Sequence, residues 1–336
     1  MNDAVSSVLS PKLLTFKVLR LLSDGKFHSG QDLAQQLGMS RTSVNNALRD
    51  VARYDLVLHS IRGKGYRLAN PPQWLEVEKI RTELGEAGKS FHIQLLDIAP
   101  SSNTLLMQQA RQGAPSGRVL AVEFQTAGRG RLGRAWHGSL GNTLTFSLLW
   151  RFETGLAALS GLSLAVGLAM LRALGKLGIH DIGLKWPNDV QTSQGKLAGI
   201  LIEAQGDMLG PSVVVIGIGM NQRLTGEMAG RLEQPASSLL QVVDELPERN
   251  RLFAVLLAEL ESMLETFSLH GFAPMRAEWE QNHRYHGKQA RLIATDGTSI
   301  VGVVSGVTDS GELRFITGQG EQIFNAGELS LRSELC

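Results

Sequence analysis

The stretch AGRGRLGRAW, residues 127–136, interleaves Arg129, Arg131 and Arg134 with Gly128, Gly130 and Gly133. Guanidinium forks grip phosphate or carboxylate oxygens in pairs, and glycine lets the backbone come close to such an anion. Glycine is poor in helix and strand interiors, so the stretch reads as a loop that clamps an anion. An exposed basic turn is the plain alternative; an RNA-binding patch would need more repeats and interleaved aromatics. A second constellation, LKWPNDV over 184–190, is followed by GKLAGIL over 195–201. Pro187 sets a bend at a strand end, Asn188 and Asp189 present an amide and a carboxylate, and Lys185 and Lys196 lie on either side. Two lysines and an acid beside arginines suit nucleotide chemistry, with a simple turn cap as the other role open to Asp189.

Several chemistries are excluded. Gly217-Ile218-Gly219 follows an apolar run but is no dinucleotide fingerprint, because Gln222 stands where the third glycine belongs. The chain has no G-x-x-x-x-G-K-[ST], no G-x-S-x-G and no H-E-x-x-H. Its single cysteine, Cys336, provides neither a disulfide framework nor a metal cluster, and no catalytic thiol is expected.

These residues need a scaffold, and 336 residues suffice for two or three domains. From Phe91, short β-rich runs alternate with helical ones: FHIQLL, a helix over 103–112, RVLAVEF, the glycine-arginine loop, NTLTFSLLW, a long apolar helix over about 158–177, then IGLKW, KLAGILIEA and SVVVIGIGM. The class is α+β. The apolar run 156–171 is short for a membrane span and contains Ser160, Gly161, Ser163 and Gly167, so it reads as a buried helix. The start of the chain lacks the basic and apolar regions of a signal peptide, so a cytoplasmic location without membrane attachment is expected.

The net charge of +1 is unevenly distributed: residues 1–70 hold 10 Lys and Arg against 5 Asp. That excess suggests an anionic partner for this end alone. Ser10 caps a first helix that ends near Asp24-Gly25, Ser29 caps a second, and Ser40 caps a third running from Arg41 to about Arg53, a helix-turn-helix spacing. Val44, Ala47, Leu48 and Val51 form the buried stripe of the third helix, leaving Arg41, Thr42, Ser43, Asn45, Asn46 and Arg49 outward, where they suit base edges and phosphates. DLVLHSIRGKGYRLA reads as a hairpin with Arg62 and Lys64 at its turn, a DNA-binding wing. A helical packing domain with a merely solvated polar face is the alternative. Asn70-Pro71-Pro72 breaks the chain into a linker, and from about Gly287 short β runs separated by turns read as a small barrel.

In this order, GRGRLGR, KWPND, GKLAGIL and GIGMN behind a winged helix ending in GKGY resemble the bifunctional biotin protein ligases that also repress the biotin operon. The resemblance covers nearly the whole chain. It implies a winged helix-turn-helix over 1–69, a class II synthetase-like central mixed sheet with helices over 70–286, and an SH3-like small barrel over 287–336. The implied reaction joins biotin to ATP with Mg2+, giving biotinyl-adenylate, and passes biotin to a lysine of a biotin carboxyl-carrier protein. Operator DNA and a homodimer in the adenylate-bound state are the other implied partners. By the same resemblance, Ser101, Ser102, Asn103 and Gln125 bind the ureido ring, and Gly128, Arg129, Gly130 and Arg131 fold over biotin and phosphate. Lys196 contacts carboxylate and phosphate, Gly199 and Gly217 line the pocket, Asp189 lies near magnesium, and Asn221 leads into the adenine loop. Arg129, Arg131, Arg134, Trp136, Lys185, Asn188 and Asn221 form the nucleotide side, Trp136 having an ordinary core role as its alternative. Arg131 and Lys196 carry the chemistry. Pro100 stands where the family usually has aspartate, and the loop after Asn221 departs from the pattern. A biotin-sensing regulator without ligase activity and a lipoate ligase are the competing readings.

Overall fold

The computed structural model describes residues 11–230, 234–327 and 329–333. Ser10, Cys336 and part of the loop after Asn221 lie outside these residues.

The N-terminal helices are α1 (Pro11–Leu21), α2 (Gly30–Leu37) and α3 (Arg41–Leu48). Ser29 Oγ accepts from the Asp32 N–H and Ser40 Oγ from the Ser43 N–H, both at 3.0 Å, so the expected caps are in place. Helix α3 stops at Leu48, short of the expected Arg53, and a 3-10 turn follows over Val51–Tyr54. The tighter turn stacks residues three apart, which lets Val51 and Tyr54 both enter the core. Strands β1 (Leu58–Ile61) and β2 (Gly65–Leu68) pair as the expected antiparallel hairpin. Gly65, at φ +99°, must be glycine: a Cβ there would sit 1.9 Å from the His28 carbonyl oxygen.

The central region comprises α4 (Val77–Leu84), β3 (His92–Ala99), α5 (Ser102–Arg111), β4 (Arg118–Gln125), β5 (Thr143–Phe152), α6 (Leu162–Lys176), β6 (Gly183–Lys185), β7 (Asp189–Gln191), β8 (Lys196–Gly206), β9 (Ser212–Asn221), α7 (Gly226–Ala229), α8 (Arg249–His270) and α9 (Arg276–Gln281). Seven strands form one mixed sheet in the order β3-β4-β5-β9-β8-β7-β6, parallel only between β3 and β4, where α5 makes the crossover. Strand β4 carries an unbroken apolar run, 119–122, because both faces are covered there. Val119 and Ala121 join the core under α6 and α8, while Leu120 and Val122 pack with Leu106, Met107 and Ala110 of α5. The apolar helix begins at Leu162, later than expected, after a 3-10 turn over Leu156–Leu159. The helical stretch Leu156–Lys176 is long and apolar enough to cross a membrane by length and composition, but ten of the fifteen α6 residues are buried in this core. The 22-residue α8, which packs along α6, is an element the sequence reading lacked.

The C-terminal strands β10 (Gln289–Ala294), β11 (Ser299–Val307), β12 (Leu313–Thr317), β13 (Gly320–Phe324) and β14 (Leu329–Ser333) form an antiparallel sheet in the order β13-β12-β11-β10-β14. Among the described residues β13 and β14 remain separate edges, so the expected barrel is instead an open sheet. Buried Leu292, Val304 and Phe315 turn its inner face to the central core, which closes that face without sheet closure. At the other end, Tyr54 meets Phe124 edge-on at 5.0 Å and Phe16 meets Trp74 at 6.3 Å, so the N-terminal helices share a core with the central sheet.

Candidate functional site

Two adjoining cavities open on one end of the central sheet. The smaller, about 50 Å³, is walled by Ser101, Ser102, Asn103 and Gln125 from the start of α5 and the end of β4, and by Gly199 and Gly217 from β8 and β9. Its depth comes from small residues. A Cβ on Gly217 would meet Asn103 Oδ1 at 2.1 Å, and one on Gly219 would meet the Trp136 ring at 2.3 Å. Its polar lining is prearranged. Gln125 Oε1 accepts from the Ser102 N–H at 2.6 Å, and Ser147 Oγ lies 2.6 Å from Ser102 Oγ and donates to Asn103 Oδ1 at 2.5 Å. Asn103 Nδ2 in turn donates to Glu203 Oε2 at 2.9 Å. Ser147 and Glu203 are contributors that sequence reading missed; each lies far along the chain from the serines, on β5 and β8.

The larger cavity, about 200 Å³, is strongly cationic: Arg131, Arg134, Lys185, Lys196 and Arg332 line it with Asp189 as their carboxylate counterpart. Such a concentration of positive charge in a partly enclosed space suits a polyphosphate. Burial pushes the Lys185 ammonium down to about 8, against the opposing pull of the nearby Asp189 carboxylate. This ammonium makes no hydrogen bond among the described residues and stands 5.9 Å from the Tyr285 ring centre. Burial likewise lowers the Arg131 guanidinium from its ordinary value. Asn221 Nδ2 donates to the Ser237 carbonyl at 3.0 Å, while its buried Oδ1 has no partner among the described residues, nor has the buried Trp136 Nε1. Unpartnered polar atoms in the walls of a cavity are an acceptor and a donor open to water or to a ligand.

The KWPND segment is fixed from beneath. Asn188 Nδ2 donates to the Ile200 carbonyl at 2.7 Å, the Trp186 indole to the Gly311 carbonyl at 3.1 Å, and the Trp186 N–H to His283 Nε2 at 3.3 Å. His283 is stacked on Trp279 at 4.5 Å, and burial drives its imidazole down to about 3, so it stays a neutral acceptor.

Gly130, Arg131, Trp136, Asn188 and Lys196 line both cavities and mark their junction. The glycine-arginine loop folds back on itself there: Arg129 pairs with Ala135 and the Gly130 N–H donates to the Arg134 carbonyl at 2.7 Å. Arg131 donates to Asn188 Oδ1 at 3.2 Å, to the Gly327 carbonyl at 3.0 Å, and to the Ala326 carbonyl. Arg129 lines only the smaller cavity, where its guanidinium donates to both Glu203 oxygens at 2.9 Å. Gly128 lines neither cavity and instead holds the loop's base through its carbonyl and the Trp136 N–H at 2.9 Å. Arg134 reaches Ser330 Oγ at 3.3 Å, so the C-terminal sheet also walls the site. Asp189 forms an ion pair with Lys196 at 2.5 Å. Among the described residues no cluster of three metal-ligating side chains exists. One carboxylate beside a phosphate-sized cavity does fit magnesium held chiefly by substrate phosphates and water.

On the N-terminal module, Arg41, Thr42, Asn45 and Asn46 are exposed on α3, as are Arg49 at its C-terminal cap and Lys64 at the hairpin turn. Arg49 donates to Asn46 Oδ1 at 2.6 Å, and Tyr66 Oη of the hairpin to Asn45 Oδ1 at 3.1 Å. Ser43 departs from the expected outward position: it is half-buried, its hydroxyl 2.9 Å from Ser40 Oγ in the cap.

Residues 95–221 match the biotin/lipoate A/B protein ligase family, and residues 15–67 match an HTH domain family. The chain is 35% identical to the bifunctional ligase/repressor BirA of Escherichia coli K12, over 94% of this chain and 97% of that one. It is 30% identical to the protein of the same name from Bacillus subtilis 168, over 90% and 93% of the two chains. Among solved structures, the biotin protein ligase from Aquifex aeolicus in complex with biotin and ATP superposes with a TM-score of 0.62 at 28% identity, covering 72% of this chain and 99% of that one.

Proposed function

The chain belongs to the family of bifunctional biotin ligase/repressors, and from that premise we propose how its two cavities divide the work: biotin in the smaller, ATP in the larger. The enzyme is an ATP-dependent biotin ligase and a DNA-binding repressor. The observation that carries the division is the junction at Arg131 and Lys196, where a carboxylate from one side would meet an α-phosphate from the other.

Biotin's carboxylate oxygen forms a bond to the α-phosphorus as the bond to pyrophosphate breaks. Negative charge gathers on the phosphoryl oxygens, and the Lys196 ammonium and Arg131 guanidinium stand where they offset it. Lys185 and Arg134 hold the departing phosphates. A lysine amine of the carrier protein then attacks the acyl carbon, AMP leaves with the oxygen, and the amine's proton passes to solvent. No side chain need act as nucleophile; positioning and charge neutralisation suffice. Magnesium, carried by the phosphates beside Asp189, would add further neutralisation. Asn221 Oδ1 is free to accept from the base of the nucleotide.

The same reading takes α3 and the β1–β2 hairpin as recognition helix and wing on operator DNA, divides the chain at 69/70 and 286/287, and takes the open C-terminal sheet as an SH3-like module over a class II synthetase-like centre. Adenylate-bound chains would dimerise so that two such modules meet a two-fold operator. Cytoplasmic residence goes with it, since ATP, carrier and operator occur there together. Purified protein given biotin, labelled ATP and a carrier domain tests the ligase reading: pyrophosphate release and carrier biotinylation are expected, and neither would appear from a mere biotin sensor. Sedimentation with biotinyl-adenylate tests the dimer, which a monomer at all concentrations would rule out.

A further inference from the structure

Arg249, at the start of α8, is 1% exposed, and the chemistry above makes no use of it. Its Nη1 donates to Glu123 Oε2 at 2.5 Å and to the Gln73 carbonyl at 2.8 Å; Nη2 donates to the Thr143 carbonyl at 2.9 Å, and Nε to Gln222 Oε1 at 3.1 Å. Glu123 is equally sunk, and its other oxygen accepts from the Leu75 N–H at 2.9 Å. A buried ion pair loses hydration that attraction offsets only with complete hydrogen bonding, and apolar side chains often stabilise a core as well. The retained charges therefore point to registration of the parts they join.

Those parts are specific. Gln73 and Leu75 belong to the linker that carries the N-terminal module, and Gln222 directly follows Asn221 in the wall of the larger cavity. A second path runs beside the first. The Gln222 and Arg223 N–H groups donate to the Asn142 carbonyl at 2.8 and 3.0 Å, and the nearby Leu140 N–H donates to the Tyr54 carbonyl of the N-terminal module at 3.2 Å.

We propose that Arg249 is a positioning residue shared by both activities: through Gln222 it sets the nucleotide-side wall, and through Gln73 and Glu123 it fixes the linker of the DNA-binding module. This rests on the ligase reading above. The test uses the full chain, with the KM for ATP and the KM for biotin measured separately in biotin-dependent pyrophosphate release, alongside thermal melts and protease cleavage within residues 70–76. Gln222→Ala removes one acceptor and leaves the ion pair; Arg249→Lys keeps the charge but cannot reach all four partners. Each should raise the KM for ATP about fivefold while the KM for biotin stays within about twofold. Arg249→Lys should also speed linker cleavage. An unchanged KM for ATP in Gln222→Ala, or an equal rise in both constants in either variant, overturns the proposal. If Arg249→Lys does not fold, Gln222→Ala alone decides. Wild-type protein that releases no pyrophosphate sinks the ligase reading instead, and does so before any substitution is made.

Discussion

Lys196 Nζ stands 2.5 Å from Asp189 Oδ1 at the point where the two cavities meet. The carboxylate holds the ammonium against the neighbouring strand, with 28% of the Lys196 side chain and 12% of the Asp189 side chain exposed. The cation is thus placed before any substrate arrives, which is what stabilising a developing charge requires.

Lys196→Met keeps the side chain's length and removes the charge. It should lower kcat for biotin-dependent pyrophosphate release about 10²- to 10³-fold, by analogy with loss of one preorganised donor to a transition-state oxyanion. Biotin binding measured by calorimetry should change far less.

Gly219→Ala would drive a methyl group into the Trp136 ring, which must then swing into the space kept for ligand. Biotin affinity should fall about tenfold or more, the scale on which overfilling a packed site is felt. A circular dichroism melt close to wild type with unchanged biotin affinity would show that the ring retreats elsewhere.

Lys185 titrates near pH 8, so it is charged below that and neutral above. The KM for ATP should rise as pH passes through 8, and Lys185→Arg, which stays charged, should flatten that rise. The stability sign runs the other way. A lysine whose folded value is lowered binds fewer protons folded than unfolded between about 8 and the unfolded value near 10.4, so its burial penalty is complete below the window and fades as pH rises through it. Lys185→Met should therefore melt higher than wild type at pH 7, with the gap narrowing by pH 10.

Lys64 sits exposed at the hairpin turn. Lys64→Ala should weaken operator binding uniformly across sequences and reduce the slope of log affinity against log salt by about 0.9 per lost phosphate contact. Ligase kinetics should be unaffected, and fluorescence anisotropy over a salt series gives the slope.

Much of the site was legible because its chemistry is local. Arg131, Lys185, Asn188, Asp189 and Lys196 lie in three short motifs whose glycines and proline dictate loops and strand ends, and all five line the larger cavity, with Arg131, Asn188 and Lys196 at the junction. Helix caps at Ser29 and Ser40 were legible for the same reason. What escaped depends on distant pairing. Glu203 meets Arg129 across 74 positions and Arg249 meets Glu123 across 126, and no spacing in the chain announces either. Helix α8 escaped since its apolar residues cover most of its circumference, blurring the one-sided pattern that marks a surface helix. The open C-terminal sheet was misjudged because closure depends on what lies against its inner face, and here that is the central core.

Two of the loop's three arginines are moored differently. Arg131 leans on the uncharged carbonyls of Ala326 and Gly327, whereas Arg129 is held by the Glu203 carboxylate. An incoming phosphate offers Arg131 a full negative charge in exchange for two dipoles, a trade that runs downhill. Arg129 would exchange one anion for another and gain little. Recruitment should therefore be sequential, with Arg131 leaving its mooring first and freeing the C-terminal sheet's edge at the moment the triphosphate settles.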